Sequence, residues 1–176
     1  MSFRAQANGR YVTAGNGGAS SLIANRSAIG LWESFDLVTV ADTSPSTVVG
    51  LRARADNMYV VAENGGSAPL IANRTAIGLW EQFDLIDLGG GSVALRAHAN
   101  NSYVCADNAG ATPLIANRHA VGAWETFTLV RNGDSTVSFR AHANGKYVTA
   151  EKGGASSLIA NRGGIGLWES FDLVNV

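Results

Sequence analysis

The pattern Leu-Ile-Ala-Asn-Arg-x-x-x-Gly-x-Trp-Glu-x-Phe occurs four times in this chain, at Leu22 to Phe35, Leu70 to Phe83, Leu114 to Phe127 and Leu158 to Phe171. A sequence that repeats one unit so closely folds as an assembly of like parts, each burying a face against its neighbours. The units start at Phe3, Leu51, Leu95 and Phe139, the last three at intervals of 44 residues. The first interval is four residues longer, and the excess falls between Thr39 and Thr47, where Asp42, Ser44, Pro45 and Ser46 make a polar turn-rich loop. No linker is long enough to part domains, so one domain over 1–176 is expected, divided into repeats 1–48, 49–92, 93–136 and 137–176.

Inside each unit the signals are those of strands. Val93 to His98 alternates apolar and polar residues and leads into Asn100-Asn101; the same place holds Asn8-Gly9, Asp56-Asn57 and Asn144-Gly145. Such pairs tolerate positive φ and suggest a tight type I′ hairpin. A Tyr-Val strand at Tyr11, Tyr59, Tyr103 and Tyr147 follows, then a Gly-rich turn such as Asn64-Gly65-Gly66, the Leu-Ile-Ala-Asn-Arg strand, and a closing Phe-Asp-Leu-Val strand. Four strands in about 44 residues leave no room for a helix, so the units are propeller blades or the leaves of a β-trefoil. The hairpins and the closing Phe-x-Leu strand favour leaves.

Charge and cysteine content narrow the function. With 13 Lys+Arg against 14 Asp+Glu the net charge is −1, so no long-range field draws the chain to nucleic acid or to an anionic membrane. Eight of the basic residues recur at fixed repeat positions (Arg4, Arg52, Arg96 and Arg140; Arg26, Arg74, Arg118 and Arg162), a sign of local hydrogen bonding. Cys105 is the single cysteine, and Thr13, Val61 and Thr149 stand in its place elsewhere, so it reads as a strand filler. No apolar run approaches the ~18 residues that span a bilayer. The start, Met1-Ser2-Phe3-Arg4-Ala5, has no apolar h-region. As written the chain is expected to be cytoplasmic, or secreted had a leader been removed.

The units Leu-Arg-Ala-His-Ala-Asn-Gly-Lys-Tyr-Val, Leu-Ile-Ala-Asn-Arg and Trp-Glu-x-Phe-x-Leu resemble the fascin-like β-trefoil repeats of bacteria. The Trp-Glu pair is similar to that of the glucan-binding trefoils of carbohydrate-binding module family ninety-two. The resemblance spans the whole chain and implies one sugar site per leaf, made of Trp32 and Glu33, Trp80 and Glu81, Trp124 and Glu125, and Trp168 and Glu169. It also points to β-1,3- or β-1,6-linked glucan, with galactose-type ligands second.

The residue chemistry permits such a site independently. An indole offers a flat apolar face to sugar C–H groups, and an ionised carboxylate accepts strong hydrogen bonds from hydroxyls. The competing reading makes the tryptophans core residues. If the fourth strand reached back to Trp32, that residue would point away from Phe35 and Leu37 while Glu33 shared their face, so the strand is expected to start after Glu33. On this reading the four glutamates bind ligand and are dispensable for folding. Asn25 and Arg26, with Asn73 and Arg74, Asn117 and Arg118, and Asn161 and Arg162, are either secondary site residues or, the preferred reading, structural, the arginines donating to otherwise unpaired backbone carbonyls.

No catalytic set recurs. His98 and His142 occupy a position that Gln6 and Arg54 fill elsewhere, and His119 stands where Ser27, Thr75 and Gly163 stand. A glycosidase needs two carboxylates at a fixed separation, and only the Trp-Glu glutamate is present in every unit. The expectation is a non-enzymatic, multivalent lectin or carbohydrate-binding module without cofactor or metal; the alternative is a protein-binding or cytoskeletal scaffold of the fascin type. Because a β-trefoil has three leaves, four pose a choice. Either all four close into one wider ring and the protein is a monomer, the expected arrangement, or three close and the fourth is exchanged between chains.

Overall fold

In a computed structural model the described residues are 1–35 and 46–176. They fall into two compact units, Met1–Thr43 and Ser44–Val176, where the sequence suggests one domain. The second contains twelve strands in one sheet system, four from each of the last three repeats. Leaf two has β3 (Ser46–Ala53), β4 (Tyr59–Val61), β5 (Ile71–Arg74) and β6 (Gln82–Gly89). Leaf three has β7 (Ser92–Ala97), β8 (Ser102–Cys105), β9 (Ile115–Arg118) and β10 (Phe127–Arg131), and leaf four has β11 (Val137–Ala141), β12 (Tyr147–Ala150), β13 (Leu158–Arg162) and β14 (Phe171–Asn175).

The first and last strands of these leaves form a cycle of antiparallel pairs. Strand β3 pairs with β6, β6 with β7, β7 with β10, β10 with β11, β11 with β14, and β14 returns to β3. The last step pairs Leu173 with Leu51 and Phe171 with Ala53. This corrects the expected ring of four. The C-terminal strand meets the second repeat, not the strand near Phe3, because three leaves already use every first and fourth strand edge. Widening to eight strands would open the middle beyond what these side chains fill. As it stands Phe83, Phe127, Phe139 and Phe171 are fully buried with Leu51 and Leu95, each aromatic contributing roughly 1.5–3 kcal/mol by leaving water.

Two devices join leaf to leaf. Near the pseudo-threefold axis Leu70 N–H donates to Leu114 O, Leu114 N–H to Leu158 O, and Leu158 N–H to Leu70 O, each at 2.8 Å. Further out, Gly66 at φ +83° has no room for a side chain, since a Cβ there would lie 2.2 Å from Asn100 Nδ2 of the next leaf. Gly110 meets Asn144 in the same way at 2.2 Å, and Gly154 meets Asp56 at 1.9 Å, completing the circuit.

The hairpins differ from the expected type I′ turn, in which both central residues have positive φ. Here only the second residue does, as at Asn57 (φ 61°) and Asn101 (φ 57°). The reason is a side chain. Asp56 Oδ1 accepts from Met58 N–H at 2.9 Å, and Asn100 Oδ1 accepts from Ser102 N–H at 3.0 Å, holding a longer loop closed by Asn57 N–H on Ala53 O.

The described residues of the first unit are laid out like the opening part of a leaf. Strands β1 (Tyr11–Ala14) and β2 (Leu22–Arg26) pair antiparallel, Arg4 bridges to Tyr11, and Phe35 N–H donates to Met1 O at 2.7 Å. That last bond is the counterpart of the Val49 and Phe83 pairing inside leaf two.

Candidate functional site

In leaves two and four the tryptophan sits on a single turn of 3-10 helix directly before the fourth strand, Leu79–Glu81 and Leu167–Glu169; Leu31–Glu33 forms the same turn in the first unit, and Trp124 lies in a turn just before β10. The strand therefore starts after the glutamate, as the parity argument requires. Residue types explain the turn. The glycine before it is extended, and the glutamate side chain folds back to accept that glycine's N–H, a capping box closed in three residues. Gly78 N–H donates to Glu81 Oε2 at 2.7 Å, with Gly30 and Glu33 at 2.9 Å, Gly122 and Glu125 at 2.9 Å, and Gly166 and Glu169 at 2.8 Å.

The tryptophan carbonyl is pinned as well, Ala62 N–H donating to Trp80 O at 2.9 Å and Ala106 N–H to Trp124 O at 2.8 Å. On the other side stands the Gly-rich turn, where Asn64, Gly65 and Gly66 all have positive φ. A Cβ at Gly65 would lie 3.8 Å from the Trp80 ring, and one at Gly153 would lie 3.7 Å from Trp168 Nε1. The backbone of these tryptophans is thus fixed, and the Trp80 and Trp168 rings lie against the glycine turn. Trp32, Trp80, Trp124 and Trp168 are 44, 40, 38 and 37% exposed, an unusual arrangement for the largest apolar side chain.

The glutamates are not placed as the sequence suggests. Glu33, Glu81, Glu125 and Glu169 are each 6% exposed. Their second oxygen faces an arginine Nε, at 3.9 Å for Arg74 with Glu81 and 3.8 Å for Arg118 with Glu125, and in leaf four it also accepts from the Thr149 hydroxyl. The arginines in turn donate to a carboxylate rather than to backbone carbonyls. Arg74 Nη2 meets Glu63 Oε1 at 2.8 Å, Arg118 Nη2 meets Asp107 Oδ1 at 2.7 Å, and Arg162 Nη2 meets Glu151 Oε1 at 2.8 Å. Each of these leaves therefore carries a relay of buried glutamate, arginine and half-exposed acid beside its tryptophan.

Glu63, Asp107 and Glu151 are the residues that motif reading passes over. They stand just before the Gly-rich turn in repeats two to four, with Gly15 at that place in the first; an acid followed by Asn-Gly-Gly or its variants was the available signal. The Asn161 amide, donating to Glu151 at 2.9 Å, and the Arg162 guanidinium hold the Glu151 carboxyl below its ordinary range. Asn25, Asn73, Asn117 and Asn161 are all exposed, and Asn73 accepts from Arg74 Nη1 at 2.6 Å. In the first leaf Arg26 Nε faces Glu33 Oε1 at 3.9 Å, Gly15 stands where the half-exposed acid stands elsewhere, and the Arg26 side chain is 53% exposed against 38% for Arg74.

His98 and His142 belong to the leaf junctions. His98 Nε2 lies 2.9 Å from Asp84, which also accepts from Arg96, and His142 Nε2 lies 3.0 Å from the Thr128 hydroxyl. Asp84 of leaf two and Arg96 of leaf three form an ion pair across the seam, as do Asp172 of leaf four and Arg52 of leaf two. Leaf three has Thr128 in place of an aspartate, and Arg140 of leaf four, across that seam, donates to Gly145 O instead. Among the described residues no group of three His, Cys, Asp or Glu is placed to hold a metal ion.

No protein-family model matches this chain, and no curated protein matches it by sequence. Solved structures do. The chain is similar to a designed threefold-symmetric protein, ThreeFoil, with a TM-score of 0.67 and 23% identity over 73% of this chain and 99% of that one. The fold is a β-trefoil. The chain is also similar to an exo-β-1,3-galactanase from Clostridium thermocellum, with a TM-score of 0.64 and 17% identity over 78% of this chain. A Polyporus squamosus lectin bound to a human-type influenza-binding epitope gives a TM-score of 0.64 and 14% identity over 73%. This chain spans 31% of the galactanase and 48% of the lectin. A threefold-symmetric relative agrees with a ring of three leaves.

Proposed function

We propose that the protein is a non-catalytic, multivalent carbohydrate-binding protein, a lectin or carbohydrate-binding module with one sugar site per leaf. The observation that carries this is the exposed indole of Trp80, Trp124 and Trp168, which at Trp80 and Trp168 lies against the glycine turn beside the capped turn. A rigid aromatic platform costs a ligand little in ordering, and a pyranose stacks on it through C–H groups. The hydroxyl acceptors are Glu63, Asp107 and Glu151, charged and half-exposed, with Arg74, Arg118 and Arg162 as donors. The buried glutamates hold the turn. Trefoil neighbours that include a lectin and a galactan hydrolase support glycans as the ligand class. β-1,3- or β-1,6-linked glucan is the proposed ligand, in line with the family resemblance.

The test titrates soluble β-1,3-glucan, β-1,6-glucan and β-1,3-galactan against tryptophan emission, then measures retention on insoluble glucan. Binding at several sites on one chain raises avidity about 10²- to 10⁴-fold over a single sugar where a polymer spans two sites. Trp80→Ala, Trp124→Ala and Trp168→Ala, combined stepwise, are expected to reduce retention in steps. Unchanged emission with every polymer, or full retention in the triple variant, overturns the reading.

A further inference from the structure

We propose that the first leaf is one third of a second β-trefoil, completed by the first leaves of two other copies of this chain, so that the protein is a trimer. The interface is already present three times within leaves two to four, and the first leaf carries each of its parts in an unmatched state. Leu22 aligns with Leu70, Leu114 and Leu158, which close the axial triangle at 1–2% exposure, yet Leu22 is 62% exposed. Phe3 aligns with Leu51, Leu95 and Phe139, each buried to 3% or less, yet Phe3 is 50% exposed. Bulky apolar residues gathered on one face mark an interaction surface.

The polar half of the junction matches equally well. Gly18 has φ +91°, as Gly154 does, but where a Cβ at Gly154 would strike Asp56, one at Gly18 meets nothing within 4 Å. The residue that fills that space in the ring is the hairpin Asn or Asp of the next leaf, and the first leaf has it in Asn8. Asn8 donates to Ala24 O at 3.0 Å as Asn100 donates to Ala116 O at 2.7 Å, so its side chain is already set for the task. Arg4 donates to Gly9 O at 2.8 Å, as Arg140 does where its neighbouring leaf lacks the aspartate. A leaf that presents both a socket and the plug that fits it closes on copies of itself. The angle between successive leaves in leaves two to four closes at three, and closed cyclic symmetry is the rule for such heterologous contacts.

The full chain is examined by light scattering and sedimentation at micromolar concentration. The expected mass is three times 18.3 kDa. Leu22→Arg is expected to give the single-chain mass with unchanged melting of the Ser44–Val176 unit. A second variant guards against simple loss of the leaf. Asn8→Cys with Gly18→Cys places two thiols that are not neighbours within one leaf but meet between leaves, and oxidation is expected to give a covalent species of three chains on a non-reducing gel. A monomer or dimer for the native chain, a trimer that survives Leu22→Arg, or oxidation that yields no three-chain species overturns the proposal. None of these outcomes depends on sugar binding.

Discussion

Changing Glu81 to Gln separates a structural glutamate from a ligand-binding one. In the native turn Glu81 Oε2 accepts from Gly78 N–H at 2.7 Å inside a site only 6% exposed. Glutamine keeps the shape and an accepting oxygen but loses the charge. A bond to a charged acceptor contributes about 1.5–3 kcal/mol net and a neutral one about 0.5–1.5 kcal/mol, so the exchange costs about 1–1.5 kcal/mol. The second oxygen, 3.9 Å from Arg74 Nε, adds little, because that guanidinium is 38% exposed and keeps Glu63 at 2.8 Å.

At about 4 °C per kcal/mol for a domain of this size, Glu81→Gln is expected to lower the melting temperature by about 4–6 °C. Glu63→Gln removes a half-exposed pair and is expected to cost under about 1 kcal/mol. Scanning calorimetry measures both, and isothermal titration with soluble glucan measures binding. The expected result is that Glu81→Gln loses stability, whereas Glu63→Gln keeps stability and weakens binding at its site. If Glu81→Gln melts like the native protein and abolishes binding, its carboxylate faces the ligand and the turn-holding role is wrong.

Cys105 is fully buried, and burial first and the neighbouring Glu125 second push its thiol up to about 12 from an ordinary 9.0. The native state therefore keeps a proton that the unfolded chain loses, so this contribution to stability is complete below about pH 9 and fades as pH rises toward 12. Labelling by a thiol reagent at pH 8 is expected only on unfolding, and Cys105→Val, which copies Val61, should reduce the alkaline loss of melting temperature; rapid labelling of the native protein would count against both. Gly66→Ala and Gly90→Ala both place a side chain at positive φ, +83° and +62°, but only the first meets an obstacle, 2.2 Å from Asn100. Gly66→Ala is thus expected to cost about 1–3 kcal/mol more than Gly90→Ala in denaturant unfolding, and equal costs would show that the glycine-asparagine interlock is not tight.

The local code of a leaf is legible because it is short in range. The Asn or Asp that caps its own hairpin, the Gly-x-Trp-Glu that closes a turn within three residues, and the alternating strands act between near neighbours, so a fourfold repeat displays them directly. Strand content and the exposed tryptophans follow from that code. The glutamate was harder to place, since a residue beside a surface tryptophan looks accessible in sequence and only the reversed capping turn buries it. Glu63, Asp107 and Glu151 were obscured for the opposite reason, standing seventeen residues before the tryptophan they serve and joined to it only when the β4–β5 hairpin and its counterparts fold.

The number of leaves in the ring is a different kind of question. Four repeats with the same residues are equally able to pair with one another, and no residue of the pattern counts to three. The count is set by the angle at which one leaf meets the next, through the Leu70, Leu114 and Leu158 triangle and the glycine sockets at Gly66, Gly110 and Gly154. That angle belongs to the packed assembly. The sequence by itself determined what a leaf is, while closure, which returns β14 to β3 and sets the first leaf apart, was decided only by the tertiary structure, because it depends on how a ring of strands fills its own interior.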